Sequence, residues 1–222
     1  YSIDFFTQTL QLKNEINQEL LAAAIDWSPD GNYVVVGVPQ RIRLYSFDSN
    51  NEVLQQEDEI SLVFGGTGRA VNWSPDGNYV AVGLGTPLLG NVLRIYRFDR
   101  FNQTLTLVDD AISVADGQVL AVAWSPDGRY IAAGGDDVNN GLELKLYSFD
   151  QTNEKLQLQD EQFKIFSVRS LAWSPDGRYL IVGGANPMGP GGFDDVLQLY
   201  RFDLESQNLN FVEGKLGKGP PD

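Results

Sequence analysis

Apolar and polar residues alternate in short runs along this chain of 222 residues, and no stretch keeps the 3.6-residue period of a long amphipathic helix. The runs recur in a fixed order. A small apolar segment ends at Trp27, Trp73, Trp124 and Trp173, spaced 46, 51 and 49 residues apart, and each Trp opens the string WSPDG. Pro presets φ, Asp bonds nearby backbone amides and Gly accepts positive φ, so the string predicts a tight turn. Its tips are Asp30-Gly31, Asp76-Gly77, Asp127-Gly128 and Asp176-Gly177. A consecutive apolar run follows, Tyr33-Val34-Val35-Val36 and its counterparts, as in a strand covered on both faces. The third segment alternates, with Ile42 and Leu44 against Arg43, Tyr45 and Phe47. The fourth alternates apolar with polar, as in Leu105-Thr106-Leu107, the pattern of an outer strand with one wet face.

Units of four short strands (a, b, c, d in chain order) repeated every 40–50 residues or so predict an all-β fold, a β-propeller of antiparallel blades. A second block marks the third strand: YSID at Tyr1, YSFD at Tyr45, YRFD at Tyr96, YSFD at Tyr147 and YRFD at Tyr200. The chain therefore reads as a single propeller domain or segment. A half blade occupies residues 1–20, four blades cover about 21–66, 67–117, 118–166 and 167–214, and a tail runs over 215–222. Four wedges leave open apolar faces, which a soluble monomer avoids. The expectation is a fragment or partial ring, completed by a missing part of the chain or by self-association as a dimer into eight or nine blades. A closed ring of four or five blades is the alternative.

At the WSPDG strings and at Phe47-Asp48, Phe98-Asp99, Phe149-Asp150 and Phe202-Asp203, the sequence resembles the WD-repeat family of propellers over about residues 1–214. The resemblance implies a non-enzymatic scaffold that binds protein. One mark of the family is missing: its Gly-His dipeptide, because the chain has no His. Trp and Tyr packing between blades is expected to replace part of the buried network that this His serves. The likeness among the copies also fits a recently amplified array with no selected ligand.

Composition narrows the chemistry. With neither His nor Cys there is no imidazole base, thiolate or disulfide, and no Cys or His metal ligand. No cofactor or metal is expected. The net charge of -14 disfavours nucleic acid as a partner, and no apolar run approaches a membrane span. The chain is expected to be soluble, its compartment undecided. Much of the acidity repeats with the blades, in the turns, the aromatic-Asp pairs and the d-strand ends (Glu57-Asp58-Glu59, Asp109-Asp110, Asp160-Glu161). The last group reads as protection of an exposed edge. Arg43, Arg94 and Lys145 on the third strands read as partners in ion pairs between blades.

Recognition is expected in the b–c loops, which differ most between copies. The candidates are Pro39 and Gln40; Pro87, Leu88, Leu89 and Asn91; Asp136, Asp137, Asn139 and Asn140; and Asn186, Pro187, Met188, Phe193, Asp194 and Asp195. Asp136-Asp137 and Asp194-Asp195 lack the spacing of a calcium loop and read as solvated acids. Two other classes stay open: a carbohydrate- or small-ligand-binding propeller using Trp and Tyr platforms, and a hydrolase working through carboxylates alone, with Asp194-Asp195 the pair to test.

Overall fold

The computed structural model describes residues 2–4, 9–11, 22–62, 66–85, 91–114, 117–137, 142–164, 167–189 and 192–216; among them are 18 strands and no helix. A hairpin of β1 (Ser2–Asp4) and β2 (Thr9–Gln11) comes first. Blade 1 is β3 (Ala24–Trp27), β4 (Tyr33–Val38), β5 (Arg41–Asp48) and β6 (Val53–Ser61). Blade 2 is β7 (Thr67–Trp73), β8 (Tyr79–Gly85), β9 (Asn91–Asp99) and β10 (Thr104–Val114). Blade 3 is β11 (Gly117–Trp124), β12 (Tyr130–Asp137), β13 (Leu142–Asp150) and β14 (Lys155–Lys164). Blade 4 is β15 (Ser167–Trp173), β16 (Tyr179–Gly189), β17 (Gly192–Asp203) and β18 (Asn208–Leu216). Each blade is an antiparallel meander in chain order. Successive first strands lie close together while the fourth strands fan apart, so the blades form an arc with β3, β7, β11 and β15 nearest its axis.

The WSPDG turns follow from their residues. Gly31, Gly77, Gly128 and Gly177 all sit near φ +70°, in the left-handed region that penalises a side chain. The Ser28 hydroxyl donates to Asp30 Oδ1 at 2.6 Å and accepts from the Tyr33 amide at 2.9 Å, which satisfies a buried serine. The same pair recurs at Ser74, Ser125 and Ser174. The aspartate of the aromatic-Asp pair holds the hairpin that follows it. Asp99 accepts from the amides of Phe101 and Asn102 and from the Asn102 side chain, so it clasps the c–d hairpin. Asp48 and Asp150 do the same.

Blades are joined by a repeated set of contacts. Phe98 stands edge-on to Trp73 of its own blade (5.2 Å) and to Tyr33 of the blade before (4.7 Å). Phe149 lies likewise between Trp124 and Tyr79, and Phe202 between Trp173 and Tyr130. Such edge-to-face pairs add about 0.5–1.5 kcal/mol each beyond burial, and they tie each blade to the next. Toward the axis, Asp26 accepts from the Trp73 amide (2.8 Å) and from Asn72, which in turn accepts from the Trp124 amide. Burial pushes the Asp26 carboxyl above the usual carboxylate range despite these donors. Glycine allows close approach: a Cβ on Gly83 would lie 2.6 Å from Val119 Cγ1.

Two readings of the charges are corrected. The d-strand acids bind the next blade rather than guarding an edge: Asp58, Asp109 and Asp160 accept the amides of Leu105, Leu156 and Leu209 at 2.7–2.8 Å. The register slips just before each acid, skipping Glu57, Val108 and Gln159, and a bulge of this kind re-aims the next side chain. Arg43 and Lys145, in turn, pair within their blade. They face Glu59 and Glu161 directly across the c–d ladder, at 2.7 and 2.9 Å, where same-face neighbours meet most easily.

Candidate functional site

The two ends of the arc differ. At one end, WSPDG turns meet the c–d hairpin of the following blade. Arg100 pairs with Asp30 and lies over the rings of Tyr33 and Phe98, while Gln151 donates to Asp76 and Glu154 accepts from Arg97 and Tyr79. Burial raises the Asp30 carboxyl, but donors from Ser28, Arg100 and Asn32 outweigh it and hold the group well below the usual range. Leu204 takes the place of Arg100 and Gln151 in the third seam. It leaves an open cavity of about 480 Å³ between Asp127, Tyr130, Arg178 and Phe202. This end is mostly consumed by blade-to-blade contacts.

The other end carries the b–c connections. Pro39-Gln40 is a two-residue turn, not a free loop. Pro39 bridges to Thr67 of blade 2, and Gln40, at φ 65°, binds the backbone of Gly66 and Leu62. Pro87, Leu88, Leu89, Asn139 and Asn140 lie outside the described residues. Asn91 opens β9, and Asp136 and Asp137 end β12. The expected loop over 186–195 is mostly strand. Asn186, Pro187 and Met188 belong to β16, Phe193, Asp194 and Asp195 to β17, and their ladder runs from Ala185 opposite Asp195 to Gly189 opposite Gly192. Backbone pairing thus continues through residue types that read as a loop, and blade 4 projects as a long hairpin.

Sequence reasoning missed what the axis-lining strands bring to this end. Strands β7, β11 and β15 each carry a bulge at the same point, between Gly68 and Ala70, Val119 and Ala121, and Val168 and Ser170. The skipped residues are Arg69, Leu120 and Arg169, and both arginines are exposed. A cation amid small apolar residues was the available signal. Nearby, the Oδ1 of Asp136 and the Oγ of Ser167 are buried with no hydrogen-bond partner. Asp136 pairs across the ladder with Gln118 at the b–c end of blade 3. Gly134, two residues earlier, packs against Val168, so Ser167 enters the same end of the next seam. Cations, an unpartnered carboxylate oxygen and an unpartnered hydroxyl thus share one end of the arc. Among the described residues, no group of three or more acidic side chains is placed to hold a metal ion. No helix there is long and apolar enough to cross a membrane.

A family model described as "Lactonase, 7-bladed beta-propeller" matches residues 6–124, more than half of the chain. The chain belongs to the lactonase β-propeller family. A WD domain, G-beta repeat model matches residues 161–188 of this lactonase-family chain, so the WD-repeat resemblance holds for one part of it. No curated protein sequence matches it. Among solved structures, it superposes on a putative 6-phosphogluconolactonase of Bacteroides uniformis with TM-score 0.71 and 18% identity, over 89% of this chain and 55% of that one. The periplasmic gluconolactonase of Pseudomonas aeruginosa gives 0.69 and 19%, over 91% and 56%. Chaetomium thermophilum Sqt1, bound to the N-terminus of ribosomal protein L10, gives 0.56 and 22%, over 83% and 48%. At these identities the likeness is one of fold, and the chain spans little more than half the length of the gluconolactonases it matches. The expectation of a non-enzymatic propeller is overturned by the lactonase family match and by the gluconolactonases among the neighbours. The absence of His and Cys excludes two chemistries and says nothing against arginine and carboxylate.

Proposed function

We propose that the chain contributes four blades to a ring that hydrolyses a sugar lactone at the b–c end of its axis. The lactonase family match over residues 6–124 carries the reading. A lactone is an activated ester, so its hydrolysis needs a base for water and a cation for the developing oxyanion, and neither imidazole nor thiol is required. Asp136 is assigned as the base. Its carboxylate takes a proton from the attacking water as oxygen bonds to the carbonyl carbon. Arg69 and Arg169 steady the oxyanion and any anionic group of the substrate. The ring C–O bond then breaks, the leaving oxygen recovers that proton from Asp136, and the hydroxy acid so formed loses its carboxyl proton to water and departs as a hydroxy carboxylate.

The test is hydrolysis of glucono-δ-lactone above its spontaneous rate, followed by pH-stat. Asp136→Asn should lower kcat about 100-fold or more, and Arg169→Ala should raise KM. No rate above background overturns the lactonase reading. A full rate in Asp136→Asn overturns the assigned base alone. A second reading, protein recognition on the same face, is supported by the WD-domain match over 161–188 and by the peptide-bound Sqt1 neighbour. The projecting hairpin of blade 4 is its candidate surface. Replacing 186–195 by a Gly-Ser linker should abolish pull-down of protein partners, and survival of every captured partner defeats it.

A further inference from the structure

One place recurs in each of the three seams, where a c–d hairpin meets the WSPDG turn of the blade before, and the third seam leaves it open. Between blades 1 and 2 it is filled by Arg100. That guanidinium donates to Asp30 Oδ2 and lies 5.6 Å from the ring centroids of both Tyr33 and Phe98. Between blades 2 and 3 it is filled by Gln151, whose amide donates to Asp76 Oδ2 at 3.3 Å. Each filler also covers the glycine of the next turn. A Cβ on Gly77 would lie 3.7 Å from Arg100 Nη2, and one on Gly128 3.6 Å from Gln151 Nε2. Between blades 3 and 4 the same position is Leu204, 55% exposed, and a Cβ on Gly177 would meet only Pro126. The rest of the place is intact. Tyr130 and Phe202 stand edge-on at 4.8 Å, as Tyr33 and Phe98 do at 4.7 Å. Asp76 Oδ2 accepts from Asn78 as well as from Gln151. Asp127 Oδ2 accepts from Arg129, which stands in Asn78's position, and among the described residues no hairpin donor joins it. Arg129 and Arg178 are each balanced by the aspartate of their own turn, Asp127 and Asp176, so the rim is neutral.

We propose that the cavity between blades 3 and 4 binds a small molecule with a planar N–H donor head, an amidine, guanidine or carboxamide, on an apolar body. The head takes the place of Arg100 and Gln151, donating to Asp127 beside the rings of Tyr130 and Phe202, and the body lies against Leu204 and Pro126. The chemistry is set by the chain's own two fillers. One is a guanidinium and the other a carboxamide, both flat groups with several N–H donors. A flat cation also gains from the ring faces. A carboxylate head gains neither, because it would face Asp127. At about 480 Å³ the cavity has the size of a small-molecule site. It is walled by blades 3 and 4 alone and lies at the opposite end of the arc from Asp136, so it stands whether or not the chain is a lactonase.

The probes are benzamidine and benzamide, with benzoate, of the same shape but without N–H donors, as the contrast. Saturation-transfer NMR on the full chain should show both donors binding with dissociation constants of about 5 mM or tighter, and benzoate at least about 10-fold weaker. Leu204→Arg rebuilds the filler of the first seam and should weaken both donors at least about 10-fold, whereas Leu204→Ala should change them by less than about 3-fold. Glu205→Gln shifts the net charge by the same single unit at the next residue and should leave binding unchanged. Leu204 and Glu205 are both exposed, so the variants keep their fold, and an unchanged far-UV spectrum checks this. No saturable binding of either donor up to about 20 mM overturns the proposal. So does equal binding by Leu204→Arg and Leu204→Ala, which places the probe elsewhere. Benzoate binding as tightly as benzamide overturns it too, since the arginines and not Asp127 would then be the recognising groups.

Discussion

Replacing Asp109 by Ala removes the acceptor of the Leu156 amide (2.7 Å) and the partner of the Lys155 ammonium (2.9 Å), both across the seam between blades 2 and 3. Leaving a half-buried amide unpaired costs about 1–3 kcal/mol. The ion pair adds about 0–1 kcal/mol, because the Lys155 side chain is largely exposed. The expected loss is therefore about 2 kcal/mol, read as a lower urea midpoint by Trp fluorescence at pH 7. Asp109→Asn keeps an acceptor oxygen and should lose less than about 1 kcal/mol, while Asp110→Ala, one residue along and exposed, should stay within about 0.5 kcal/mol. Burial raises the Asp109 carboxyl, but the Leu156 amide and Lys155 outweigh it, so the group titrates below its ordinary value. Its stabilisation is present above that ordinary value and is lost as pH falls through the lowered one, so wild type and Asp109→Ala should converge toward pH 3. Equal losses for Asp109→Ala and Asp110→Ala would refute the blade-to-blade role.

Glycine gives a paired comparison. Gly134→Ala drives a methyl into Val168 and should cost about 1–3 kcal/mol, whereas Gly183→Ala should leave the urea midpoint unchanged. The turn aspartates predict acid lability. Asp30, Asp76, Asp127 and Asp176 all titrate low under the donors of their turns, so the melting temperature should fall between pH 5 and pH 3 and not between pH 8 and pH 5. Asp26, raised by burial, works in the opposite direction but is one group against four; a melting temperature flat down to pH 3 contradicts this. Leu204→Arg should place a cation over Tyr130 and Phe202 as Arg100 sits over Tyr33 and Phe98, raising stability by about 0.5–1 kcal/mol in a thermal melt.

The blades were legible because each is spelled by residues whose local chemistry is decisive. Ser, Pro, Asp and Gly make one turn four times, and consecutive β-branched residues mark the covered strand. What escaped was set by one-residue slips in the ladder. Alternation over a strand of seven residues does not reveal where a bulge falls. Arg69 and Arg169 therefore passed unnoticed on the axis strands, and Asp58, Asp109 and Asp160 were read as facing water when they face the next blade. Asp26 and Asn72 escaped for another reason: they hold one position in two copies, with Ala123 and Ala172 in the others, so the repeat gives them no emphasis. The variable residues around Asn186 and Asp194 read as a loop because backbone pairing can continue through residues of low strand preference.

Hydrolysis of glucono-δ-lactone by the wild-type chain, followed by pH-stat, tests the central claim most directly, because the family match is to lactonases. The account predicts a rate above the spontaneous one that falls about 100-fold in Asp136→Asn. A wild-type rate no faster than buffer alone would contradict it.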